Sequence, residues 1–442
     1  MASGISHLKI KKLLIFSSTG KMFDLSNSIA DMDYFESILE PVVTMKIDLF
    51  NVFSLFNEIP IRGGERVELE LENGSNIRSF YPKLWTKKTP KSFLLEGDNS
   101  LYVYKVSNIS NTGQKELLTI HLISEEYFLN EQSKCLKKYY SNNISTHVDD
   151  ILKNDLGTVK DCYIDDTSNR YVFIGSNRKP FHVLQWLAPK SISTSSGVKG
   201  TSGDGKNAEG KGTAGFMFYE NKDGFNFKSI DALVDKSQSL TTREIKRIWT
   251  YTYTSVIESS NTENNLKIIK FEMEKNIDLR KSLRVGMYHN QTDYYDANTN
   301  KLHRYTYKLP SEIEEKTLAE DPVESVFDTR SSRYMFRISD HGVMQPNGEI
   351  EETGRDHADM AKSFARYKVG FTQSLNILVP CNTNLKVGDI IQCIFPRLKQ
   401  GKSNSPDPKM SGFYLIRELR HHFEANKNTT SLKLMRDSYG LY

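Results

Sequence analysis

The sequence predicts a β-rich α+β fold. Many segments alternate apolar with polar residues, as in 43–49, 67–71 and 118–123, and this period of two is typical of strands with one buried face. Tyr, Phe, Thr, Ile and Val, which favour strands, are frequent, whereas helical periodicity is confined to a few short segments. A chain of 442 residues also has material for two to four domains, each with its own core.

The strands of the first 125 residues predict a small barrel or sandwich. The next element is a helix from Ser145 to Leu156, which has Thr146 and Asp149 in capping-box spacing and Gly157 placed to end it.

A second helix begins at Pro180, where the missing N–H costs nothing in the first turn, and ends before Pro189. A third helix is predicted over 356–367. Its inward face carries three apolar side chains: Met360, Phe364 and Tyr367.

Two segments are predicted to be flexible loops. Residues 189–212 are rich in Ser, Gly, Lys and Thr and cannot bury enough apolar area to order themselves. Residues 398–409 combine Gly, Ser and Pro in a way that predicts a mobile hairpin end.

One internal echo is visible. Gly64-Glu65 and Gly388-Asp389 each place a glycine and an acid before a strand-like run, with Pro60 and Pro380 upstream. In such a pattern the glycine turns the chain and the acid holds the turn. The echo hints at two related barrels.

Composition excludes several function classes. Lys plus Arg number 59 against 55 Asp plus Glu, so the net charge of +4 does not favour wrapping of nucleic acid. The four cysteines lack metal-ligand or disulfide spacing and predict buried thiols. Because no signal peptide or apolar membrane span is visible, we expect folding in a reducing cytoplasm and no membrane contact.

Catalytic, cofactor and metal sites are all predicted to be absent. The adjacent acids Asp149/Asp150, Asp165/Asp166 and Glu125/Glu126 are candidates for a glycosidase pair, but neighbouring acids usually point apart or into solvent. In the adjacent pair His421-His422, one imidazole must face the core and the other solvent. The segment 210–215 matches GxGxxG by chance, because it does not join a strand to a helix.

The segment 78–88 interleaves cations with aromatic residues. Such a pattern is found in surfaces that bind single-stranded nucleic acid and also in hairpins whose lysines protect an exposed strand edge. The small net charge favours the hairpin.

Three blocks of the sequence resemble the baseplate central hub proteins of contractile-tailed, T-even-like phages. The first runs over 35–67 and includes Pro41, Pro60, Gly64 and Glu65. The second comprises 179–188, with Trp186, and 215–227, with Gly224. The third runs over 375–416 and includes Gly388 and Asp389. These eight residues are the family-motif structural positions.

The resemblance implies two similar small β-barrels per chain, joined by an α+β elaboration. It implies a first barrel at 1–125 and an α+β middle domain at 126–240, and it leaves open that the middle domain adds strands to the second barrel. A peripheral elaboration with a helix would occupy 241–365. The closing strands of the second barrel would lie at 366–442.

The resemblance also implies the function: a structural, non-enzymatic hub in the virion tail baseplate, assembled in the host cytoplasm. A homotrimer would form a pseudo-sixfold ring between the hexameric tail tube and the trimeric central spike. Its channel would pass the tape measure protein and then DNA in transit, and contacts with wedge proteins are left open. Two alternatives remain, a spike-base protein of a related injection or secretion system and a tail-associated glycan hydrolase.

Overall fold

The structure, a computed structural model, describes most of the chain. The described residues are 8–17, 20–50, 61–73, 92–112, 115–194, 200–201, 207–208, 215–235, 248–254, 266–275, 278–309, 317–318, 321–322, 330–345, 347–351, 357–370, 372–397, 406–424 and 427–440. The predicted loop at 398–409, the predicted loop at 189–212 and the GxGxxG match at 210–215 therefore lie largely outside these residues. Pro60 and the segment 78–88 lie wholly outside them.

Strands dominate the described residues, and the prediction of a β-rich fold is confirmed. The strands of the N-terminal third are β1 (Leu8–Phe16), β2 (Met22–Asp24), β3 (Ile29–Ser37), β4 (Thr44–Phe50), β5 (Arg66–Asn73), β6 (Ser92–Leu95), β7 (Leu101–Thr112) and β8 (Lys115–Ser124). Those of the middle are β9 (Lys138–Asn143), β10 (Cys162–Ile164), β11 (Arg170–Ile174), β12 (Gly200–Thr201), β13 (Asn207–Ala208), β14 (Phe216–Asn221) and β15 (Gly224–Ser229).

The C-terminal half adds thirteen strands to the described part of the chain. They are β16 (Trp249–Thr252), β17 (Lys270–Lys275), β18 (His289–Asp296), β19 (Lys301–Lys308), β20 (Asp321–Pro322), β21 (Arg333–Ile338), β22 (Val343–Met344), β23 (Ile350–Glu351), β24 (Gln373–Pro380), β25 (Ile390–Ile394), β26 (Gly412–Glu424), β27 (Lys427–Arg436) and β28 (Ser438–Tyr439). The α-helices are α1 (Glu125–Gln132), α2 (Ile144–Asp150), α3 (Pro180–Leu187), α4 (Ile230–Val234), α5 (Leu279–Arg284) and α6 (His357–Val369).

One large sheet joins the two ends of the chain. Its strands follow the order β17-β24-β27-β26-β3-β4-β8-β7-β5-β1-β2, with β25 on β26, β16 on β25 and β6 on β5. The contact between the two ends is the antiparallel pairing of β3 with β26, which we call the junction. One continuous cluster of buried apolar side chains underlies both ends of the sheet.

The large sheet contains the same six-strand order twice. The N-terminal strand set pairs in the order β3-β4-β8-β7-β5-β1, and the C-terminal strand set pairs in the order β17-β24-β27-β26-β25-β16. The pairings match in direction except the last, which is antiparallel between β5 and β1 and parallel between β25 and β16. In the C-terminal set the first and last strands also meet. Ile268, just before β17, donates its amide to Thr252 O, at the end of β16, at 3.0 Å.

The two glycine-acid pairs occupy equivalent places in the two sets. Gly64 donates its amide to Val103 O, and Val103 donates its amide to Glu65 O. In the C-terminal set, Gly388 donates to Ile416 O, and Ile416 donates to Asp389 O. A β-bulge follows Val103 in β7 and Ile416 in β26 at the same step of the ladder. The sets therefore share register as well as strand order.

The middle of the chain forms a separate apolar cluster beside the large sheet. In the described residues, β14 and β15 pair with each other and with β10, and with no strand of the C-terminal set. By contrast β16 and β17, which fall within 241–365, belong to that set. A further small sheet, β19-β18-β21, packs with α6.

The first two predicted helices are present with one corrected detail. Residues 144–150 are α-helical and continue as a π-helix over 151–156, and Gly157 ends the segment at φ +78°. The predicted capping box is wrong, because the residue that precedes the helix is Asn143, and Thr146 lies inside the first turn. Ser145 instead donates a hydrogen bond from its amide to Thr167 Oγ1 at 2.8 Å. The second helix begins at Pro180, as predicted.

The third predicted helix is also present, as α6, but its buried face differs from the prediction. Met360, Phe364 and Tyr367 are only half-buried. The buried side chains on this helix are Ala361, Ser363, Ala365, Arg366 and Val369. Arg366 reaches inward because Asp231 and Asp437 accept from its guanidinium at 3.4 and 3.3 Å. None of the helices in the described ranges is long and apolar enough to cross a bilayer.

Candidate functional site

Side chains reinforce the junction between the two strand sets. Seven residue pairs join β3 to β26, from Glu418 opposite Ser37 to Glu424 opposite Asp31. Arg420 donates two hydrogen bonds to the Asp33 carboxylate, at 2.7 and 2.8 Å. Such bidentate pairs are among the strongest ion pairs in proteins. The junction is therefore held by both backbone and charge.

His422 and Asp31 lie close enough to Asp33 to suggest a metal site. Ligand atoms of the three residues all fall within 4.8 Å of one another. His422 Nδ1 is already 2.7 Å from Asp33 Oδ1, however, and Arg420 takes up both oxygens of the same carboxylate. Because a guanidinium supplies the compensating positive charge, the arrangement serves as an ion-pair network across the junction.

Glu36 connects three parts of the chain beneath the junction. Its Oε1 accepts from Tyr34 Oη at 2.9 Å and from the Lys222 amide at 2.8 Å, and its Oε2 accepts from the Val387 amide at 2.9 Å. Burial raises the pKa of Glu36 to about 7, although the two amides and nearby Lys222 act in the opposite direction. One carboxyl thus fixes β3, the β14–β15 turn and the turn before β25.

A second buried acid-base cluster ties the middle of the chain to the N-terminal set. Lys160 Nζ lies 2.7 Å from Glu126 Oε2 and 2.7 Å from Glu220 Oε1, and all three side chains are at most 3% exposed. Burial raises the pKa of Glu220, and the charge of Glu126 adds to this effect. For Lys160, burial lowers the pKa, but Glu220 and Glu126 outweigh it and raise the pKa overall.

The remaining atoms of this cluster are also paired. Glu220 Oε2 accepts from the Val43 amide at 2.9 Å and from Ser124 Oγ at 2.5 Å. Glu126 Oε1 accepts from Thr158 Oγ1 at 2.7 Å. Buried charges are costly unless every hydrogen-bonding partner is in place, so these contacts favour one arrangement of the segments that carry them. We call Glu126, Lys160 and Glu220 the buried triad.

The β14–β15 turn makes the matching contact with the C-terminal set. Lys222 Nζ donates to Thr383 O at 2.5 Å, and Lys386 Nζ lies 2.5 Å from Asp223 Oδ2. The hairpin β14–β15 therefore holds Glu220 against one strand set and Lys222 and Asp223 against the other. These contacts fix the relative position of the two sets.

The adjacent histidines divide as the sequence predicts. His421 is fully buried, with Nδ1 2.8 Å from Thr430 Oγ1, whereas His422 is partly exposed on the opposite face. Burial lowers the pKa of His421 to about 3, and the charge of Lys222 adds to the effect. His421 is therefore neutral in the folded protein.

The pH dependence of stability should report this buried histidine. Its pKa in the unfolded chain is 6.5, so its contribution is present above that pH and is lost as the pH falls toward 3. When the pH is lowered from 7.5 to 5.0, we expect this residue to lower the free energy of unfolding by about 2 kcal/mol. Denaturant unfolding of His421→Asn, which keeps a polar atom near Thr430, should lack this part of the pH dependence.

The exposed His303 offers a matched control. His303→Asn should leave the difference in unfolding free energy between the two pH values unchanged. Equal pH dependence in the native protein and His421→Asn would contradict the assignment.

The seven motif positions among the described residues lie in five separate places. Gly64 and Gly388 adopt φ of +88° and +84° at equivalent turns of the two strand sets. Glu65 is buried and accepts from the amides of Arg62 and Gly63 at 2.7 and 3.0 Å, so the acid holds the turn. Asp389 contributes through its backbone, as described above.

The other described motif positions lie in the middle of the chain or beside β4. Trp186 in α3 contacts the rings of Tyr171 and Phe173 edge to face. Gly224 has φ of +131°, and a Cβ there would lie 2.2 Å from Asp161 O. Pro41 is half-buried in the turn between β3 and β4.

Five of the six acids considered for catalysis make structural side-chain contacts. Asp165 accepts from Lys228 Nζ at 2.7 Å and from the Ser229 amide at 3.0 Å. Asp149 and Asp150 pair with Lys153 and Lys137, each at 2.7 Å. Glu125 accepts from Tyr102 Oη at 3.2 Å. Glu126, its neighbour, belongs to the buried triad.

Sequence reasoning missed Glu36 and the buried triad. Lys160 is 60 residues from Glu220, and Glu36 is 351 residues from Val387. No spacing rule connects residues so far apart. The available signal was a single charged residue within a strand that is otherwise uncharged and mostly apolar, Glu220 in Phe216–Asn221.

Comparison with known proteins supports the resemblance noted from the sequence. No family model matches the chain. A curated protein described as a probable baseplate hub protein of Vibrio phage KVP40 is 23% identical over 438 residues, covering 94% of this chain and 91% of that protein. The similarity to a baseplate hub protein of a T4-like phage is thereby confirmed.

Two solved structures share the fold. The tail protein from Neisseria meningitidis MC58 has a TM-score of 0.54 at 10% identity, covering 96% of each chain. The 43 kDa tail protein of prophage MuSo2 from Shewanella oneidensis has a TM-score of 0.52 at 9% identity, covering 96% of this chain and 98% of that one. These similarities extend over nearly the whole chain.

Proposed function

We propose that this chain is the structural hub of a contractile phage baseplate and works without catalysis. The observation that carries the proposal is the repeated six-strand order, with matching register, in a chain similar over 94% of its length to a baseplate hub protein. Two equivalent strand sets in one chain give each copy two quasi-equivalent units. A ring of three such chains presents six similar units, so it can connect a threefold partner to a sixfold partner.

The two strand sets are proposed to be the two β-barrels of the hub. The first barrel occupies 1–125. The second takes its closing strands from 366–442 and also includes β16 and β17. The α+β middle domain at 126–240 links them through the buried triad and Glu36, and the remainder of 241–365 forms the peripheral elaboration. The eight motif positions act as structural residues of these turns and cores.

Three copies would form a ring with six barrels. One face of the ring would meet the hexameric tail tube and the other the trimeric central spike, with wedge proteins at the periphery. The tape measure protein and then DNA would pass through the channel. The chain would assemble in the host cytoplasm and end in the tail baseplate of the virion.

The small net charge supports this use of the channel. With 59 basic and 55 acidic side chains, the chain as a whole does not attract phosphate strongly. A channel that bound DNA tightly would slow its passage. We therefore expect only weak binding between the channel and DNA, with little dependence on salt.

The oligomeric state tests the proposal. Analytical ultracentrifugation of the purified chain at micromolar concentration should give a species of three times the chain mass, because ring formation buries the open strand edges of each copy. Negative-stain images of that species should show a ring with a central hole. A chain that remains monomeric throughout this range would overturn the proposal.

A further inference from the structure

The small sheet β19-β18-β21 carries apolar side chains on its outer face. Three of them belong to β21 and are largely exposed: Tyr334 at 67%, Phe336 at 67% and Ile338 at 71%. The neighbouring strands continue this face, because Ile338 lies opposite Tyr295 of β18, which in turn lies opposite the exposed Leu302 of β19. We call these five residues the outer sheet face. A contiguous exposed apolar surface of this kind marks an interaction site.

The inner face of β18 is buried and carries polar side chains. Asn290, Thr292 and Asp296 are at most 4% exposed, and Asp296 Oδ1 lies 2.7 Å from His341 Nε2. Because alternate residues of a strand occupy opposite faces, the apolar residues of this sheet would be buried if its strands were shifted by one residue. A sheet that instead buries polar groups and exposes apolar ones indicates that another molecule covers the outer face.

A helix of this chain already packs on the inner face. Tyr307 of β19 shares a buried cluster with Ala361 and Ala365 of α6, and the guanidinium of Arg333 lies 5.1 Å from the centre of the Phe364 ring. The helix α6 has 13 residues and is therefore about 20 Å long, which is also the length of the six-residue strand β21. Helices on both faces of a sheet are a common layered arrangement. A second helix of similar length fits the outer face.

We propose that the outer sheet face binds an amphipathic helix of a different protein, in which an apolar stripe is flanked by acidic residues. This inference rests on the proposed hub and specifies how its peripheral elaboration at 241–365 holds a further tail protein. The helix would lie on the sheet opposite α6, with Phe336 at the centre of the contact. Its apolar stripe would remove the exposed side chains of the sheet from water, which is the main source of affinity when a helix binds an apolar surface.

The charges beside the outer sheet face select the acidic partner. The segment 330–338 contains three arginines and no acid. All three are exposed: Arg330, Arg333 and Arg337. Two copies of β21 placed face to face would bring these like charges together, so the surface disfavours a second copy of this chain. A helix with glutamate or aspartate beside its apolar stripe meets the arginines with opposite charge.

A pair of synthetic peptides tests the proposal. Each has about 16 residues, leucines at helical spacing and a fluorescent label, but the flanking positions are glutamate in one and lysine in the other. The anisotropy of each peptide is measured during titration with the full-length chain. The glutamate peptide should bind at least about ten times more tightly than the lysine peptide, and added salt should reduce the difference.

A substitution at the centre of the face locates the binding. Phe336→Thr should weaken binding of the glutamate peptide about tenfold or more, because it removes the largest apolar contact. Threonine favours strands and Phe336 is largely exposed, so the variant should unfold at the same denaturant concentration as the native chain. The matched control is Tyr140→Thr, which changes another exposed aromatic residue on a strand, in β9, and should leave binding unchanged.

Ultracentrifugation of the same samples separates this proposal from the hub proposal. If the chain is trimeric but binds neither peptide, or binds both equally, the helix site is overturned and the hub stands. If Phe336→Thr dissociates the trimer, a second copy covers the outer sheet face, and the helix site is again overturned. A chain that is monomeric at all concentrations overturns the hub, whereas selective binding of the glutamate peptide by that monomer still supports the helix site.

Discussion

Replacing Lys160 by methionine is expected to lower the free energy of unfolding by about 3–5 kcal/mol, the usual cost of removing one partner from a buried ion pair. The lysine lies 2.7 Å from both Glu126 and Glu220, and all three side chains are almost completely buried. Methionine fills a similar volume, so the loss would come from two carboxylates left without their cation. Denaturant unfolding at neutral pH measures the effect.

The exposed ion pair of Lys153 and Asp149 provides the control. Its side chains are 59% and 43% exposed, so Lys153→Met should change stability by less than about 1 kcal/mol. Adding Glu126→Gln to Lys160→Met should recover part of the loss, because one of the two uncompensated charges is removed. Equal and small effects of Lys160→Met and Lys153→Met would contradict the role of the buried triad.

Glu36→Leu is expected to destabilise the protein by about 3–5 kcal/mol, because each buried donor left without an acceptor costs about 1–3 kcal/mol. The substitution removes the acceptor for Tyr34 Oη and for the amides of Lys222 and Val387. Leucine retains the packing volume. Hydrogen exchange should also report the change locally, as faster exchange at the two amides.

Glu40→Leu is the matched control, since Glu40 is exposed in the turn that follows β3. It should leave both stability and amide exchange near native values. If Glu36→Leu leaves the exchange of the Val387 amide unchanged, the carboxyl does not hold the C-terminal set in place.

Local features were predictable from the sequence, and long-range ones were not. The alternation in 43–49, 67–71 and 118–123 located β4, β5 and β8, and Pro180 located the start of α3. These signals depend on neighbouring residues and backbone geometry. The capping box failed because Thr167, a residue distant in sequence, satisfies the first turn of α2.

The repeat of the strand sets left almost no trace in the sequence. Strand order and register are set by backbone hydrogen bonds and by which face is buried, and many apolar residues satisfy both. The glycine of the turn is more restricted, because φ values of +88° at Gly64 and +84° at Gly388 disfavour side chains. Glu65 and Asp389 preserve the acid beside it. For this reason the repeat could be noticed in the sequence at Gly64-Glu65 and Gly388-Asp389.

The junction has a consequence for synthesis of the chain on the ribosome. Asp33 meets Arg420, a residue 387 positions later in the chain. At about 5–20 residues per second, the partner strand of β3 emerges roughly 20–80 s after β3 itself. During that interval the nascent N-terminal half has an open strand edge, and polysomes bring many such edges together. Translation speed and chaperone access, rather than the stability of the finished protein, should then limit the yield of correctly folded chains.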